Sequence, residues 1–390
     1  NWTTEYTEVE HGTGFTDSLV QGPLRSWKHH HSFEDLGSTT RVRDEIKLCL
    51  PRRAPEFAER SVATTMARLT TYRQSQLLAD LEFAASHPGP PLRIAVSGAG
   101  GLIGTQLTAL LSTLGHTVVP IVRSAEPVTG AVAIDPARNT VDEAALAGTD
   151  VVIHLAGEPI AGRFTEAHKR RIADSRTGPT AALARAAAAS GSVRTFVSAS
   201  AVGYYGADPA GTVNEESAPG DDFLARVCTA WEDATEPAAA AGLRVAMVRT
   251  GIVLTPAGGT LATLLPLYRI GAGGPVAGGT AWQSWISIDD VVGAFAHAAL
   301  DHRVAGPVNA VAPRPSTSRE FADLLGRILS RPSAIPVPPA GPAVLLGREG
   351  ARLLANASQQ VSADKLCASG YEFRHPTLGS ALRHVLGQEV

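Results

Sequence analysis

Three glycines, Gly98, Gly101 and Gly104, interrupt the stretch SGAGGLIG, with the apolar run LRIAV before it and the leucine-rich TQLTALLSTLGH after it. A strand, a glycine-rich turn and a helix in that order suit the seating of a pyrophosphate. Gly98 permits the tight turn, Gly101 lets the backbone approach the phosphates, and Gly104 lets the helix pack on the strand. The first helical amides, around Leu102 and Ile103, then offer the anion the positive end of the helix dipole. The end of the next apolar run refines the ligand. Enzymes that take NAD place an acid there to hold the ribose hydroxyls, whereas an arginine suits a 2′-phosphate. The chain reads VVPIVRSAEP, with Arg123 and Ser124 at that point, so NADP(H) is the expected cofactor. An ordinary exposed arginine in an arginine-rich chain is the plain alternative.

These residues need a scaffold. The runs LRIAVS (92–97), TVVPIV (117–122), DVVIHLA (150–156), RTFVSAS (194–200) and RVAMVRT (244–250) alternate with Ala- and Leu-rich helical stretches. Apolar runs this continuous belong to strands covered on both faces. The predicted fold is therefore α/β: a Rossmann-type doubly wound parallel sheet over 92–305, with a small C-terminal substrate lobe over 306–390. Residues 1–86 have another texture. Alternating runs up to residue 50 predict antiparallel strands, and 55–83 predict one long helix, so a separate α+β unit is expected. HPGPP (87–91) predicts a linker, because proline restricts itself and its predecessor.

Composition excludes several classes. A formal net charge of −3 gives no electrostatic reason for a nucleic-acid or acidic-membrane partner, and no apolar run approaches membrane-spanning length. A small-molecule substrate is the expected partner; oligomeric state is not legible. Cys49, Cys228 and Cys367 are odd in number, far apart and without metal-ligand spacing, which predicts a reduced, cytoplasmic protein. The first residue is Asn1 rather than Met, so the true N-terminus is expected upstream.

The G-x-x-G-x-x-G spacing and DVVIHLAG (150–157) resemble the extended short-chain dehydrogenase/reductase superfamily, in its NAD-dependent epimerase/dehydratase group. GEPIAGRF, KRRIADSR, SASAVGYYG, DDFLARVCTAWE, RTGIVL, GAGGPVAGG, QSWISIDD and GPVNAVAP carry the likeness further, to the epimerase-like subfamily sometimes labelled SulA-type. It runs from 92 to 390 and includes a family-specific segment near ASQQVSADKLCASGYEFRHPTL. Residues 1–86 resemble the second half of a polyketide-cyclase-like helix-grip domain, a partial domain whose front portion is expected to be missing. The resemblance implies that Leu155, Ala156 and Gly157 line the adenosine and ribose part of a cofactor groove. It further implies that Arg176 contacts the cofactor and that Ile252 touches the nicotinamide region. Pro179 stands where the subfamily has glycine.

Catalysis in the superfamily uses a Tyr-x-x-x-Lys pair, in which the lysine eases proton exchange at the phenol while hydride moves. None of the six tyrosines here has a lysine four residues on, and matching Glu232 to the superfamily's helix glutamate puts Leu224 and Cys228 at the pair. What the resemblance leaves is Ser200, at the position of the catalytic serine or threonine, with Tyr204 as proton donor. Packing in the pocket wall is the alternative for Tyr204 and Tyr205. Two functions follow: an NADP(H)-dependent oxidoreductase or epimerase acting on a small carbonyl or hydroxyl substrate, or a non-catalytic NADP(H)-binding sensor or scaffold.

Other residues invite readings of their own. Lys169 is expected on a solvated basic helix face. Trp282, Gln283, Trp285, Asp289 and Asp290 resemble a substrate-side wall, with simple core as the alternative. Asp221 and Asp222 suit the cap of the helix FLARVCTAW. In HHH (29–31), His29 and His31 share a strand face while His30 points away. Two donors with no third nearby do not make a metal site, so none is expected, and these histidines are read as flanking a cavity.

Overall fold

The continuous apolar runs do become a sheet covered on both faces. The computed structural model describes residues 2–52, 55–135, 137–338 and 340–388. They form two compact units, divided at Thr71/Tyr72.

In the first unit β1 (Thr3–Glu10), β2 (Gly14–Gln21), β3 (Ser26–Asp35) and β4 (Thr40–Cys49) pair antiparallel in the order β1-β2-β3-β4. The tight reversals at Gly12 and Gly37 have φ of 84° and 89°, open to glycine at little steric cost. Helix α1 (Glu56–Ser86) follows and runs on into the second unit. Strand alternation with this register puts Phe15 and Asp17 of β2, Trp27, His29, His31 and Phe33 of β3, and Asp44 of β4 on one face. His30 turns to the other face, where its Nδ1 meets Thr16 Oγ1 at 2.9 Å. The expectation that no third donor lies near His29 and His31 is thus corrected. Asp17 and Asp44 are remote in sequence, but the two hairpins bring them alongside.

The second unit centres on an eight-stranded sheet in the order β16-β12-β10-β9-β5-β6-β7-β8. Its strands are β5 (Arg93–Ser97), β6 (Thr117–Arg123), β7 (Val132–Asp135), β8 (Thr140–Val141), β9 (Val151–His154), β10 (Thr195–Ala201), β12 (Arg244–Thr250) and β16 (Gly306–Ala310). All pair in parallel except β8, which lies antiparallel on β7. Short strands pair outside it: β11 (Thr212–Val213) with β18 (Gln360–Val361), β13 (Ile252–Leu254) with β15 (Trp285–Ser287), and β14 (Trp282–Gln283) with β17 (Ser316–Thr317). The helices are α2 (Leu102–Thr113), α3 (Glu166–Ala189), α4 (Phe223–Asp233), α5 (Glu236–Ala240), α6 (Gly259–Arg269), α7 (Ile288–Leu300), α8 (Ser318–Leu329), α9 (Ala340–Gly350), α10 (Asp364–Ala368) and α11 (Leu378–Val385). No helix of the described residues is long and apolar enough to cross a membrane.

Ile94, Val96, Ile153, Val197 and Val248 pack one sheet face against Leu107 and Leu111 of α2 and Val291 and Phe295 of α7. Ala95, Val119, Val152 and Phe196 pack the other against Leu183 and Ala187 of α3. Truncating a buried leucine such as Leu107 costs roughly 2–5 kcal/mol. Pro179 sits inside α3 without ending it.

Both expected domain boundaries move. The break expected at 86/87 falls at 71/72, because the end of α1 joins the second unit: Phe83 enters its core, Gln76 Nε2 donates to Asp289 Oδ1 at 2.6 Å, and Asp80 pairs with Arg374 at 2.8 Å. No separate lobe begins at 306, since β16 is the sheet's last strand and pairs with β12 from Ala246↔Gly306 to Thr250↔Ala310.

Candidate functional site

Strand order reverses between β5 and β9, so a crevice opens at their C-terminal ends, the place where open α/β sheets bind ligands. Each glycine there has a steric reason. Gly98 holds φ 71°, and a Cβ on Gly104 would lie 2.0 Å from the Gly98 carbonyl oxygen, so only hydrogen fits where α2 crosses the turn. Gly101 caps α2 with extended backbone and no side-chain bond, leaving the first amides of the helix uncapped. The crevice wall is pinned by buried Ser97. Its Oγ accepts from Leu155 N at 3.1 Å and Ala156 N at 3.3 Å, and bonds His154 Nδ1 at 2.6 Å. Burial, reinforced by the charge of Arg176, pushes the His154 imidazole down to about 4, so it is neutral at pH 7.

The guanidinium of Arg176 lies against Gly157, where a Cβ would meet Cζ at 3.2 Å. It donates to Ile172 O at 3.0 Å and Glu158 O at 3.1 Å and stacks 4.9 Å from the Trp231 ring. Arg176 thus braces the segment after β9 from beneath. Arg123, at the end of β6, is exposed and forms no ion pair or hydrogen bond with another described residue. Ser124 closes the following turn, its Oγ donating to Glu126 O at 2.7 Å. Ile252 is half-buried on β13, its amide donating to Ser284 O at 2.8 Å.

A second constellation lies in one row across β10, β12 and β16, where Ser200, Arg249 and Asn309 are register partners. Ser200 is 3% exposed, and its Oγ donates to Glu232 Oε1 at 2.6 Å. Arg249 grips both oxygens of Glu232, at 2.8 and 2.7 Å, and donates to Tyr205 Oη at 3.0 Å; Tyr205 in turn donates to Asn309 Oδ1 at 2.7 Å. Burial alone would lower Arg249, but the paired carboxylate outweighs it and keeps the guanidinium charged. Burial raises Tyr205. Burial and the Glu232 charge push the Cys228 thiol up to about 12. The Tyr204 ring lies over the Arg249 guanidinium at 3.5 Å, and its hydroxyl bonds no other described residue. The turn bearing Tyr204 is clamped by Gln359, whose amide donates to the carbonyls of Val202 and Gly206.

The structure therefore brings Ser200 and Tyr204 together through a cluster that motif spacing did not reveal. Its signal was an arginine and an asparagine near the ends of apolar strands, where an unpaired polar group would be costly. Lys169 departs from its expected solvated face. Only 16% of its side chain is exposed, paired with Glu166 at 2.7 Å and Glu349 at 3.0 Å above the Phe223 ring. Trp285 is core, whereas Trp282 is 36% exposed. Asp290 takes the amides of Arg374 and His375, tying the C-terminal segment to α7. Asp222 caps α4 through Ala225 N at 3.0 Å.

Residues 94–311 match the NAD dependent epimerase/dehydratase family, and 337–385 match a domain of unknown function, DUF1731. An epimerase family protein of Mycobacterium bovis is 39% identical over 293 residues, 74% of this chain and 96% of that protein. A crystal structure described as a nucleoside-diphosphate sugar epimerase from Corynebacterium glutamicum superposes with a TM-score of 0.80 at 38% identity, covering 98% of this chain and 76% of that one. Human epimerase family protein SDR39U1, solved with NADPH, gives 0.66 at 33% identity over 75% of this chain and 99% of its own. With its glycine junction, its sheet order and these relatives, the chain belongs to the NAD-dependent epimerase/dehydratase family.

Proposed function

We propose that the chain is an NADP(H)-dependent oxidoreductase or epimerase acting on a small carbonyl or hydroxyl substrate. The observation that carries this reading is the unpaired, exposed Arg123 at the end of β6, beside a cradle that a Cβ at position 104 would fill. Gly98, Gly101 and Gly104, with the amides at Leu102 and Ile103, would receive the pyrophosphate. Arg123, beside the turn made by Ser124, would take the 2′-phosphate. Leu155, Ala156 and Gly157 would line the adenosine side, with Arg176 bracing them, and Ile252 would flank the nicotinamide. A bound nicotinamide supplies or accepts a hydride. Tyr204, its hydroxyl unclaimed by the described residues, would hold and pass the proton. Ser200 acts on it at one remove, by fixing Glu232 and Arg249 beneath the ring. The NADPH in the human relative's structure supports the choice of cofactor.

One observation favours a second reading. Leu224 and the Cys228 thiol, un-ionised at pH 7, stand where the usual proton-transfer pair belongs, which suits a sensor that binds NADPH without turning it over. Fluorescence titration with NADPH and NADH, and the loss of NADPH absorbance with a carbonyl panel, separate the two. Tighter NADPH binding and turnover lost in Tyr204→Phe with binding unchanged are expected for the enzyme. Tight binding with no turnover would favour the sensor; no affinity for NADPH would overturn both.

A further inference from the structure

We propose that the antiparallel sheet of the first unit carries a site for one divalent transition-metal ion of the zinc class, held by Asp17, His29 and His31. The donor atoms converge. Asp17 Oδ2 lies 3.4 Å from His29 Nδ1 and 3.3 Å from His31 Nε2, and one donor atom from each residue falls within 4.8 Å of the others. Zinc bonds to nitrogen and oxygen of about 2.0–2.1 Å give tetrahedral edges of about 3.4 Å, so little movement is needed.

The outer contacts aim these donors. Asp44 Oδ1 accepts from His29 Nε2 at 3.0 Å and from His31 Nδ1 at 2.7 Å. With those nitrogens carrying the protons, the lone pairs of His29 Nδ1 and His31 Nε2 face Asp17. Trp27 Nε1 donates to Asp17 Oδ1 at 2.9 Å, leaving Oδ2 for the ion. A carboxylate behind each ligating histidine is the arrangement that fixes ring orientation and raises ligand basicity. Phe15 stacks on His31 at 4.1 Å, and Trp27 meets His29 edge-on at 5.6 Å, so the rings are held. No lysine or arginine among the described residues pairs with Asp17. Two carboxylates beside the two imidazoles suit a dication. Three protein donors leave a position for water or an exogenous ligand.

The test uses the full chain, free of any polyhistidine tag and stripped with a chelator. Calorimetric titration with Zn²⁺ should show one equivalent bound, Co²⁺ should give tetrahedral d–d absorption, and Mg²⁺ and Ca²⁺ should not compete. Asp44→Asn should weaken zinc by about 10–100-fold, and His29→Ala or Asp17→Asn by more. His31→Gln, which keeps a polar side chain against Asp44, covers the case in which another variant fails to fold. His30→Ala, on the opposite face, should change nothing. A wild type that takes up no zinc, or uptake unaltered in all the ligand variants, would overturn the proposal and leave a hydrogen-bonded His–Asp ring.

Discussion

The glycine edge and the row of Ser200, Arg249 and Asn309, with Glu232 of α4 set against it, belong to the same sheet's surroundings and treat polar groups in opposite ways. At the edge, helix amides are left uncapped and Arg123 is left without a partner. In the row, every polar atom is answered by another: Ser200 by Glu232, Glu232 by Arg249, Arg249 by Tyr205, and Tyr205 by Asn309. Free donors in a crevice wait for a ligand, while a satisfied buried network rigidifies the strands that carry it. Under the proposed function, binding and positioning are divided between the two regions.

The contrast can be broken, and the largest effect is expected at Glu232. Glu232→Ala leaves the Arg249 charge buried and unpaired and should cost about 3–5 kcal/mol, read by urea unfolding. A loss below about 1 kcal/mol would mean that water already reaches Arg249. Next comes pH. The His154 pKa is depressed to about 4 in the fold from an ordinary 6.5, so the unfolded chain binds more protons between those values. Its contribution is therefore complete above about pH 6.5 and lost as pH falls toward 4, on the order of 3 kcal/mol. Unfolding free energies across that window should depend less steeply on pH in His154→Gln, with buried His297, also held down to about 4, keeping its own share; an unchanged slope would assign the acid sensitivity elsewhere. At the edge, Gly104→Ala should lower NADPH affinity by roughly 100-fold, about 2.7 kcal/mol, because the added carbon collides with Gly98. Unchanged binding would show that the crossing relaxes freely. Arg123→Ala, the smallest effect, should weaken NADPH by roughly tenfold, near 1.5 kcal/mol, and leave NADH alone. Equal losses for both nucleotides would remove Arg123 from 2′-phosphate recognition.

What the sequence made legible follows the range of the interactions. The glycine junction, the five long apolar runs and the Asp222 cap are written in neighbouring residues, and all three took the expected form. Strands β7 and β16 were missed because neither reads as a continuous apolar run: VAID ends on an acid, and GPVNA opens on a Gly-Pro pair and carries an asparagine. The unit boundary was misplaced because HPGPP breaks secondary structure, whereas domain membership is set by tertiary contacts such as Gln76 with Asp289. The same limit hid the site's second half. Glu232 and Arg249 are 17 residues apart, Tyr205 and Asn309 104 apart, and no spacing rule joins them. Asp17 and Asp44 came beside the histidine run only through hairpin pairing.

The Gln359 clamp orders events in time. Residues 93–157, which build the glycine junction, leave the ribosome long before the amide that fastens the turn bearing Tyr204. A nascent or prematurely terminated chain would shape the glycine junction first and the turn bearing Tyr204 last. Until Gln359 is in place, the carbonyls of Val202 and Gly206 lack the side chain that joins them.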